Sequence, residues 1–430
     1  MRGLATTSLV VSIGLATLVG CSTDKEQVTP RAESSAEGSR ATQNQGSEPA
    51  TSNEPVPGRL GSRVFVVQRD DGKLAVYDYH RQTLLDRRIE DLGNLNHATM
   101  TFSPDLKFGY VATRSGKLSQ IDVGTLETTR SVQTSDSSID IAITADGQYV
   151  ATAEYNPGGV TVLDAETLEV VRKIPATYED EGEEKRSRAT GIVDATGNRL
   201  VFALMEGGEA WIVDADDESY DVTHRIPLEE GLAYDAMVTP DGRYYVVGHM
   251  KKEYVSVVDL DRPDRGARRV TLRDPEGRFD PEHPVKLPHM ASWAVARGQV
   301  FVPLVGESRL AVLDGDSWEF MTTVELRGHP VYAVRSPARD EIWVSFSGEE
   351  DDAWIQVVDT RELEVTREIE VGRRIYHMDF TPRGTYALVS ANEDDTVALV
   401  DTQDYRVVDR QTVESPSGLF GIWRAFQIGL

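Results

Sequence analysis

Short apolar runs alternate with polar turns from Arg63 to the end of the chain, and the pattern recurs at a nearly constant interval. In each unit an apolar run ends in Asp and is followed by a turn and another strand, as in "VYDYHRQTLLDRRI", "QIDVGTLETTRSV" and "VLDAETLEVVRKI". The aspartates that end these runs are Asp78, Asp122, Asp164, Asp214, Asp259, Asp314, Asp359 and Asp401. Eight units of about 45 residues, built from short strands, are typical of a β-propeller. We expect the eight aspartates to be structural and to accept backbone N–H groups in the turns.

The strand count within the units predicts how the ring closes. Each propeller blade has strands A to D from the hub to the rim, and eight segments fit strand B but only seven fit strand A. The first unit begins directly at its strand B, "VFVVQ", and the C-terminal stretch "GLFGIWRAFQIGL" is left over. The predicted fold is therefore an all-β, eight-bladed β-propeller closed by a C-terminal strand that pairs into the first blade. Closure removes two sheet edges that would otherwise be exposed.

The N-terminal residues predict a processing signal and a tether. "MRGLATTSLVVSIGLATLVGC" has one Arg, an apolar run and a lipobox-like end at Cys21, so residues 1–20 are assigned to a lipoprotein signal peptide. An ordinary signal peptide with a chance cysteine is the alternative. Residues 21–62 are polar and rich in Ser, Glu, Gln and Thr, which predicts a disordered tether, and residues 63–430 form the propeller. We expect a periplasmic protein held to the membrane only by lipid on Cys21; Ser22 in place of Asp favours the outer membrane.

Charge and cysteine content exclude several classes of function. The chain has 71 acidic and 45 basic residues, and such an acidic surface does not favour nucleic acid. Cys21 is the only cysteine, which excludes disulfides, cysteine nucleophiles and a CxxCH haem attachment in the mature domain. Phosphate loops of Walker type and serine nucleophile elbows are also absent. The acidic stretches "YEDEGEEKRSR" and "SGEEDDAW" are predicted to be solvated loops, and calcium binding there is left open.

Unusual residues cluster on one predicted face of the ring. The loops that enter strand A and the turns between strands B and C lie on the same face of a propeller, around its central funnel. Residues at the start of a strand A are His97, His289, His377 and Asp235, and residues in B–C turns are Arg69, Arg114, Tyr155, Lys251, Lys252 and Arg309. Each histidine alone could merely pack and bond backbone, and each cation alone could be solvated. Together they favour a flat, polyanionic ligand, with imidazole as an iron ligand and arginine as a carboxylate ligand.

The first two units resemble a known family. "RDDGKLAVYD" and "NHATMTFSPDLKFGYVATRSGKLSQID" are similar to the opening of the haem d1-binding propeller of the dissimilatory nitrite reductases. The resemblance extends over the eight units and implies that His97 is the proximal iron ligand and that Arg69 and Arg114 hold the carboxylates of the macrocycle. The segments "VKLPHMASWAV", "YHMDFTPRG" and "PSGLFGIWRAFQIGL" resemble more closely the haem d1 biosynthesis branch of that superfamily.

Two departures from the reductases argue against nitrite reduction. The chain has no CxxCH motif and no cytochrome c domain, so it has no internal entry for electrons. The reductases also carry two distal histidines that bind the substrate anion. The stretch matching the second of these, "YAVRSPARDEIWVSF", offers Arg335 or Ser336 instead. His289 lies near the position of the first distal histidine, but the local spacing differs. The resemblance therefore implies a role in haem d1 biosynthesis.

The expected ligand is haem d1 or its dihydro precursor. Tyr155, Lys251 and Asp235 join His97, Arg69 and Arg114 as predicted ligand-binding residues, and His289 and His377 are candidates for proton transfer. Whether the tetrapyrrole is modified on its side chains or only carried is left open. Other haem d1 biosynthesis proteins, the nitrite reductase and a second copy of the chain are candidate partners. A tethered propeller scaffold that binds a partner protein and no tetrapyrrole is the alternative function.

The lipid anchor can be tested by replacing its attachment site. We expect Cys21→Ala to leave the protein unprocessed or to release it into the soluble periplasmic fraction, because only the cysteine sulfur can carry the lipid. Cell fractionation followed by mass measurement of the N-terminus checks this, with Ser22→Ala as the matched control. An unchanged membrane fraction for Cys21→Ala would contradict the anchor.

Overall fold

The computed structural model describes Val56 and residues 58–216, 219–273, 293–348 and 350–427. In this part the regular structure is almost entirely β: eight four-stranded antiparallel sheets and one additional hairpin, with 3₁₀-helices such as Ile422–Phe426. The prediction of an all-β, eight-bladed propeller is confirmed. None of the described helices is both long and apolar enough to cross a membrane.

The first four blades occupy the N-terminal half of the ring. Blade 1 contains β1 (Arg63–Gln68), β2 (Lys73–Asp78) and β3 (Thr83–Leu84); blade 2 contains β4 (Thr99–Phe102), β5 (Phe108–Ala112), β6 (Lys117–Asp122) and β7 (Glu127–Gln133); blade 3 contains β8 (Ser137–Ile143), β9 (Tyr149–Asn156), β10 (Gly159–Asp164) and β11 (Val170–Ile174). The hairpin β12 (Thr177–Asp180) and β13 (Glu183–Arg186) follows, and blade 4 contains β14 (Ala189–Ala195), β15 (Arg199–Leu204), β16 (Glu209–Asp214) and β17 (Val222–Pro227).

The remaining blades have the same strand order. Blade 5 contains β18 (Ala233–Val238), β19 (Tyr244–His249), β20 (Tyr254–Asp259) and β21 (Ala267–Thr271); blade 6 contains β22 (Ala294–Ala296), β23 (Gln299–Leu304), β24 (Arg309–Asp314) and β25 (Phe320–Glu325). Blade 7 contains β26 (His329–Arg335), β27 (Glu341–Ser347), β28 (Trp354–Asp359) and β29 (Glu364–Glu370); blade 8 contains β30 (Ile375–Phe380), β31 (Tyr386–Ala391), β32 (Thr396–Asp401) and β33 (Arg406–Thr412). The last strand is β34 (Pro416–Gly421).

Burial explains why the middle strands are continuously apolar. All six residues of β1 are buried, whereas β7 at the rim is mostly exposed. A middle strand has a neighbouring blade on both faces, so both sets of its alternating side chains leave water. The core is accordingly a series of clusters between adjacent blades rather than one central core.

The repeated aspartates shape the turns that lead to the rim strands. Asp122 Oδ1 accepts the backbone N–H of Thr125 at 2.8 Å, and Leu126 donates its N–H to the Asp122 carbonyl at 2.8 Å. Leu126 has a left-handed backbone, with φ of 60°, and its side chain is buried. The same acceptance of turn N–H groups occurs at Asp78, Asp164, Asp214, Asp259, Asp314, Asp359 and Asp401. The structural role predicted for the eight aspartates is therefore confirmed, and the N–H of Ser317 lowers the pKa of Asp314.

The ring closes through the last strand. β34 lies innermost in blade 1 and pairs antiparallel with β1, in the register Phe65 to Phe420 and Val66 to Leu419. Ser390 Oγ on blade 8 donates to the Ser417 carbonyl at 2.7 Å, so the strand also bonds the blade on its other side. After β34 the helix Ile422–Phe426 buries Ile422 and Trp423. The predicted closure by the C-terminal strand is confirmed.

The closing strand can be removed as a test of its contribution. We expect deletion from Gly418 onward to abolish folding or to cause aggregation, because it removes Leu419, Phe420, Ile422 and Trp423, which are buried. At about 1.5–3 kcal/mol for each large apolar side chain, the loss is about 6–12 kcal/mol, comparable to the stability of a whole domain. Thermal unfolding and light scattering measure it, with deletion of residues 428–430 as the control. Equal melting of the truncated and full-length proteins would show that the tail does not stabilise the propeller.

Candidate functional site

A cavity of about 490 Å³ occupies the funnel at the centre of the ring. The described residues in its wall come from inner strands and B–C turns of seven of the eight blades. Among them are five of the residues that the sequence predicted: Arg69, His97, Tyr155, Asp235 and His377. The fold therefore brings together side chains from blades 1, 2, 3, 5 and 8.

His97 lies in the turn that enters blade 2. Its backbone is left-handed, with φ of 55°, a conformation in which His is found more often than most residues. The turn is closed by the N–H of Ala98, which donates to the Leu95 carbonyl at 3.1 Å. The turn leaves His97 exposed in the wall of the cavity, just before β4.

Arg69 is held at the funnel rim by three blades. It lies in the turn between β1 and β2, and its guanidinium donates to Asn96 Oδ1 on blade 2 and to the Tyr376 hydroxyl on blade 8. The guanidinium also lies 5.0 Å from the centre of the Tyr376 ring, and the backbone N–H of Arg69 donates to the Ser415 carbonyl at 3.0 Å. These contacts orient the cation before any ligand arrives.

Arg114 supports the wall rather than forming part of it. Its guanidinium lies 4.6 Å from the centre of the Tyr155 ring, and that of Arg188 lies 5.3 Å from the same ring. Tyr155 itself lines the cavity, and burial raises the pKa of its hydroxyl. Arg114 thus packs against a ring of the wall, and the direct contact with a ligand that the resemblance implies stays a prediction.

Two acids face the cavity from the inner strands of blades 3 and 5. Asp140 on β8 accepts the N–H of Gly191 through Oδ2 at 2.7 Å, and Asp235 on β18 lines the same cavity. Burial, and then the negative charge of Asp235, raises the pKa of Asp140 to about 7. Gly191 has φ of +60°, and an added Cβ would lie 2.5 Å from the Cβ of Ala236, so only glycine allows blades 4 and 5 to approach so closely.

Asp140 was missed by sequence reasoning. The sequence signal for Asp140 is an acidic residue within the apolar inner strand "SSIDIAI". Because it does not lie in a turn, it cannot have the structural role of the repeated aspartates, which accept turn N–H groups. The wall also includes Tyr234 and Tyr332 from inner strands, and burial raises the pKa of both hydroxyls. A polar side chain within an apolar inner strand is the sequence signal that all three residues share.

His377 has a structural contact as well as a place in the wall. Its Nδ1 accepts the backbone N–H of Leu419 on the closing strand at 3.3 Å. Its ring meets that of Tyr332 edge to face at 5.2 Å and stacks on Phe420 at 6.1 Å. The packing interpretation of this histidine is therefore supported, and its role in proton transfer stays a prediction.

Other predicted residues lie elsewhere. Lys251 follows β19 in an exposed turn outside the cavity wall, and neither it nor Lys252 contributes to the wall. Arg309 begins β24 rather than belonging to the preceding turn, and it pairs with Glu325 on β25 at 3.0 Å. His289 lies outside the described residues.

The strand direction changes the prediction for the position that matches the second distal histidine of the reductases. Arg335 ends β26 and Ser336 is buried just beyond it, whereas the cavity is lined by Val331 and Tyr332 near the start of that strand. Tyr332 is therefore the polar side chain that this stretch contributes to the funnel. The described part of the chain contains no group of three His, Cys, Asp or Glu side chains that could hold a metal ion.

Comparisons with known proteins show the family to which the chain belongs. The family described as "Cytochrome D1 heme domain" matches residues 60–425. The chain is 35% identical to Protein NirF of Stutzerimonas stutzeri over 385 residues, which cover 89% of this chain and 96% of the relative. It is 37% identical to Protein NirF of Pseudomonas aeruginosa over 373 residues, which cover 86% and 93% of the two chains.

A solved structure shares the fold. It is described as dihydro-heme d1 dehydrogenase NirN in complex with DHE, and it superimposes with a TM-score of 0.74 at 21% sequence identity, over 87% of this chain and 78% of its own. At that identity the likeness shows the fold alone. The family match and the sequence identity to the two relatives show that this chain belongs to the NirF family of cytochrome d1 haem domain proteins.

Proposed function

We propose that this protein takes part in haem d1 biosynthesis by binding a late precursor of the dihydro-haem d1 type in the propeller funnel. The observation that carries the proposal is the convergence of His97, the oriented Arg69 and the Asp140–Asp235 pair on one cavity. The family supports it, since its model is that of a haem d1 domain. The solved NirN structure, with DHE bound to the same fold, supports it further.

The chemistry of the cavity suits a flat, carboxylate-bearing iron macrocycle. His97 would hold the iron, because neutral imidazole is a common haem ligand. Arg69 would bind a peripheral carboxylate, since a guanidinium forms paired, charge-assisted hydrogen bonds. Ile139, Ile375 and Phe420 supply apolar wall for the faces of the ring. The bound group itself would supply the iron centre.

The acids give the funnel a proton that can be exchanged near neutral pH. With a pKa of about 7, Asp140 is the group in the wall best placed to donate or accept a proton on a ligand side chain. His377 would present Nε2 to the cavity, because its Nδ1 already accepts the N–H of Leu419. Asp140 thus joins His289 and His377 as a candidate for proton transfer if the precursor is modified here.

The lipid anchor completes the proposal. Attachment through Cys21 would keep the propeller in the periplasm at the end of a tether of about 40 residues. Such a tether allows the funnel to exchange its ligand with soluble partners of haem d1 biosynthesis or with the nitrite reductase.

Two variants separate the iron ligand from the carboxylate ligand. We expect His97→Ala to change the absorption spectrum of bound dihydro-haem d1, because it removes a directional bond to iron. Arg69→Gln should preserve the spectrum and weaken binding by about tenfold to a hundredfold, since a charge-assisted hydrogen bond contributes about 1.5–3 kcal/mol. Spectroscopic titration of the soluble domain measures both effects.

The same titration decides between the two functions. Absence of any spectral change with the unmodified domain at micromolar concentration would reject tetrapyrrole binding and favour the scaffold alternative. An unaltered spectrum for His97→Ala would show that His97 is not the iron ligand. The mass of the tetrapyrrole recovered after incubation distinguishes a carrier from a modifying enzyme.

The proton held by Asp140 predicts a pH-dependent stability. Its pKa of about 7 in the folded state lies above the ordinary value of 3.8, so the folded protein binds this proton more tightly than the unfolded chain. Ionised Asp140 therefore destabilises the fold, with no cost below about pH 4 and the full cost above about pH 7. The free energy of unfolding of Asp140→Asn, relative to that of the unmodified protein, should therefore increase by about 1–4 kcal/mol as the pH rises from 4 to 8.5. This range follows from about 1.36 kcal/mol per pKa unit.

Denaturant unfolding across this pH range measures the gain. Asp86→Asn removes one exposed carboxylate of the same type and serves as the matched control. Parallel pH profiles for Asp140→Asn and the unmodified protein would show that Asp140 does not titrate in this range.

A further inference from the structure

Arg424 occupies the deep end of the funnel, opposite the rim that carries Arg69. It belongs to the helix Ile422–Phe426 that follows β34, and it lines the same cavity as Arg69. Pro416 at the start of β34 pairs with Gln68 beside the Arg69 turn, and Gly421 at its end pairs with Val64. A six-residue strand spans about 20 Å. The backbone of Arg424 therefore lies below the hub, and its side chain points back into the cavity.

The guanidinium of Arg424 has few protein partners. Within the part of the chain that the structure describes, its one hydrogen bond is from Nη1 to the Leu419 carbonyl, at the long distance of 3.5 Å. The cation also lies 5.1 Å from the centre of the Phe420 ring. A guanidinium carries five N–H donors, and only one of those of Arg424, which lines the cavity, has a partner among the described residues. Arg424 is half-buried, and burial lowers its pKa.

The nearby acid does not satisfy this cation. The negative charge of Asp379, near the end of β30, favours the ionised form of Arg424. Among the described side chains, no ion pair within 4.0 Å joins these two. The Oδ2 atom of Asp379 is buried and accepts no hydrogen bond. Burial raises the pKa of Asp379 to about 6 although Arg424 lowers it. A half-buried cation and a buried acid that do not meet leave the arginine fork available to a ligand.

We propose that Arg424 forms an anion subsite at the base of the funnel, which binds a carboxylate or another small oxyanion. The planar fork of an arginine matches the geometry of a carboxylate. Tyr332 lies close enough to interact electrostatically with Arg424, and its hydroxyl is a second donor in the same wall. The anion is either a carboxylate on a tetrapyrrole side chain or a free anion beneath the macrocycle. The first source rests on the proposed function, and the second does not.

Free acetate tests the subsite without any tetrapyrrole. We expect saturable binding of ¹³C-acetate to the soluble domain, measured by NMR, and a loss of about tenfold to a hundredfold in affinity for Arg424→Gln. Arg424→Lys keeps the charge but not the fork and should bind with intermediate affinity. Arg130→Gln, on the exposed rim strand of blade 2, is the matched control and should bind as the unmodified protein does. Melting temperatures establish that each variant is folded.

A second titration identifies the source of the anion. Dihydro-haem d1 and its fully esterified form are titrated into the unmodified protein and Arg424→Gln. A tenfold or greater loss for the free acid, with no loss for the ester, assigns the anion to a carboxylate of the tetrapyrrole. Acetate binding that depends on Arg424, with equal affinities of both proteins for the free acid, assigns it to a free anion.

The subsite is overturned if Arg424→Gln changes neither acetate binding nor the difference between acid and ester. Failure of the unmodified protein to bind either tetrapyrrole would reject the proposed function, while the acetate titration would still decide the subsite.

Discussion

The pairing of β34 with β1 is the constraint on which the rest of the molecule depends. It joins segments that are about 350 residues apart in sequence, and it supplies the inner strand that blade 1 lacks. Each blade is buried mainly by its two neighbours, so an open ring would leave two blades with an uncovered apolar face and an unpaired edge. Closure therefore converts a linear array of blades into a structure in which every hub strand has a fixed position around the axis.

The same interaction builds part of the site. Three residues of β34 line the funnel, namely Ser417, Gly418 and Phe420. The backbone N–H of Leu419 donates to Nδ1 of His377 and so orients the imidazole ring. The helix after β34 then carries Arg424 under the hub. The stability of the ring and the chemistry of the cavity therefore depend on the same segment, because the residues that close the ring also form one side and the floor of the cavity.

The funnel contrasts in charge with the rest of the protein. The chain has a formal net charge of −26, yet Arg69, Arg374 and Arg424 all line the cavity. The acids in its wall are Asp140, Asp235 and Asp352, and burial raises the pKa values of Asp140 and Asp352. A carboxylate-bearing ligand would therefore meet oriented cations and acids that hold their protons more tightly than surface acids do, while the acidic exterior repels nucleic acid and other polyanions.

The sequence alone determined the features that are local and repeated. The period of about 45 residues, the eight aspartate turns and the missing inner strand of blade 1 each follow from patterns within short segments, and together they specify an eight-bladed ring closed by its tail. Strand order also predicted which residues lie at the funnel, because propeller topology assigns each loop to one of the two faces of the ring. These residues are His97, Arg69, Tyr155, Asp235 and His377.

Only the tertiary structure decided which of these side chains act together. Burial, and then the charge of Asp235 on blade 5, raises the pKa of Asp140, while the N–H of Gly191 on blade 4 opposes that shift. No pattern in the sequence near Asp140 contains that information. Arg114 packs against Tyr155 in the wall of the cavity, and Arg424 lines the cavity because the helix Ile422–Phe426 follows the closing strand. Burial, charge coupling and hydrogen bonding depend on distances between segments remote in sequence, and those distances exist only once the ring has closed.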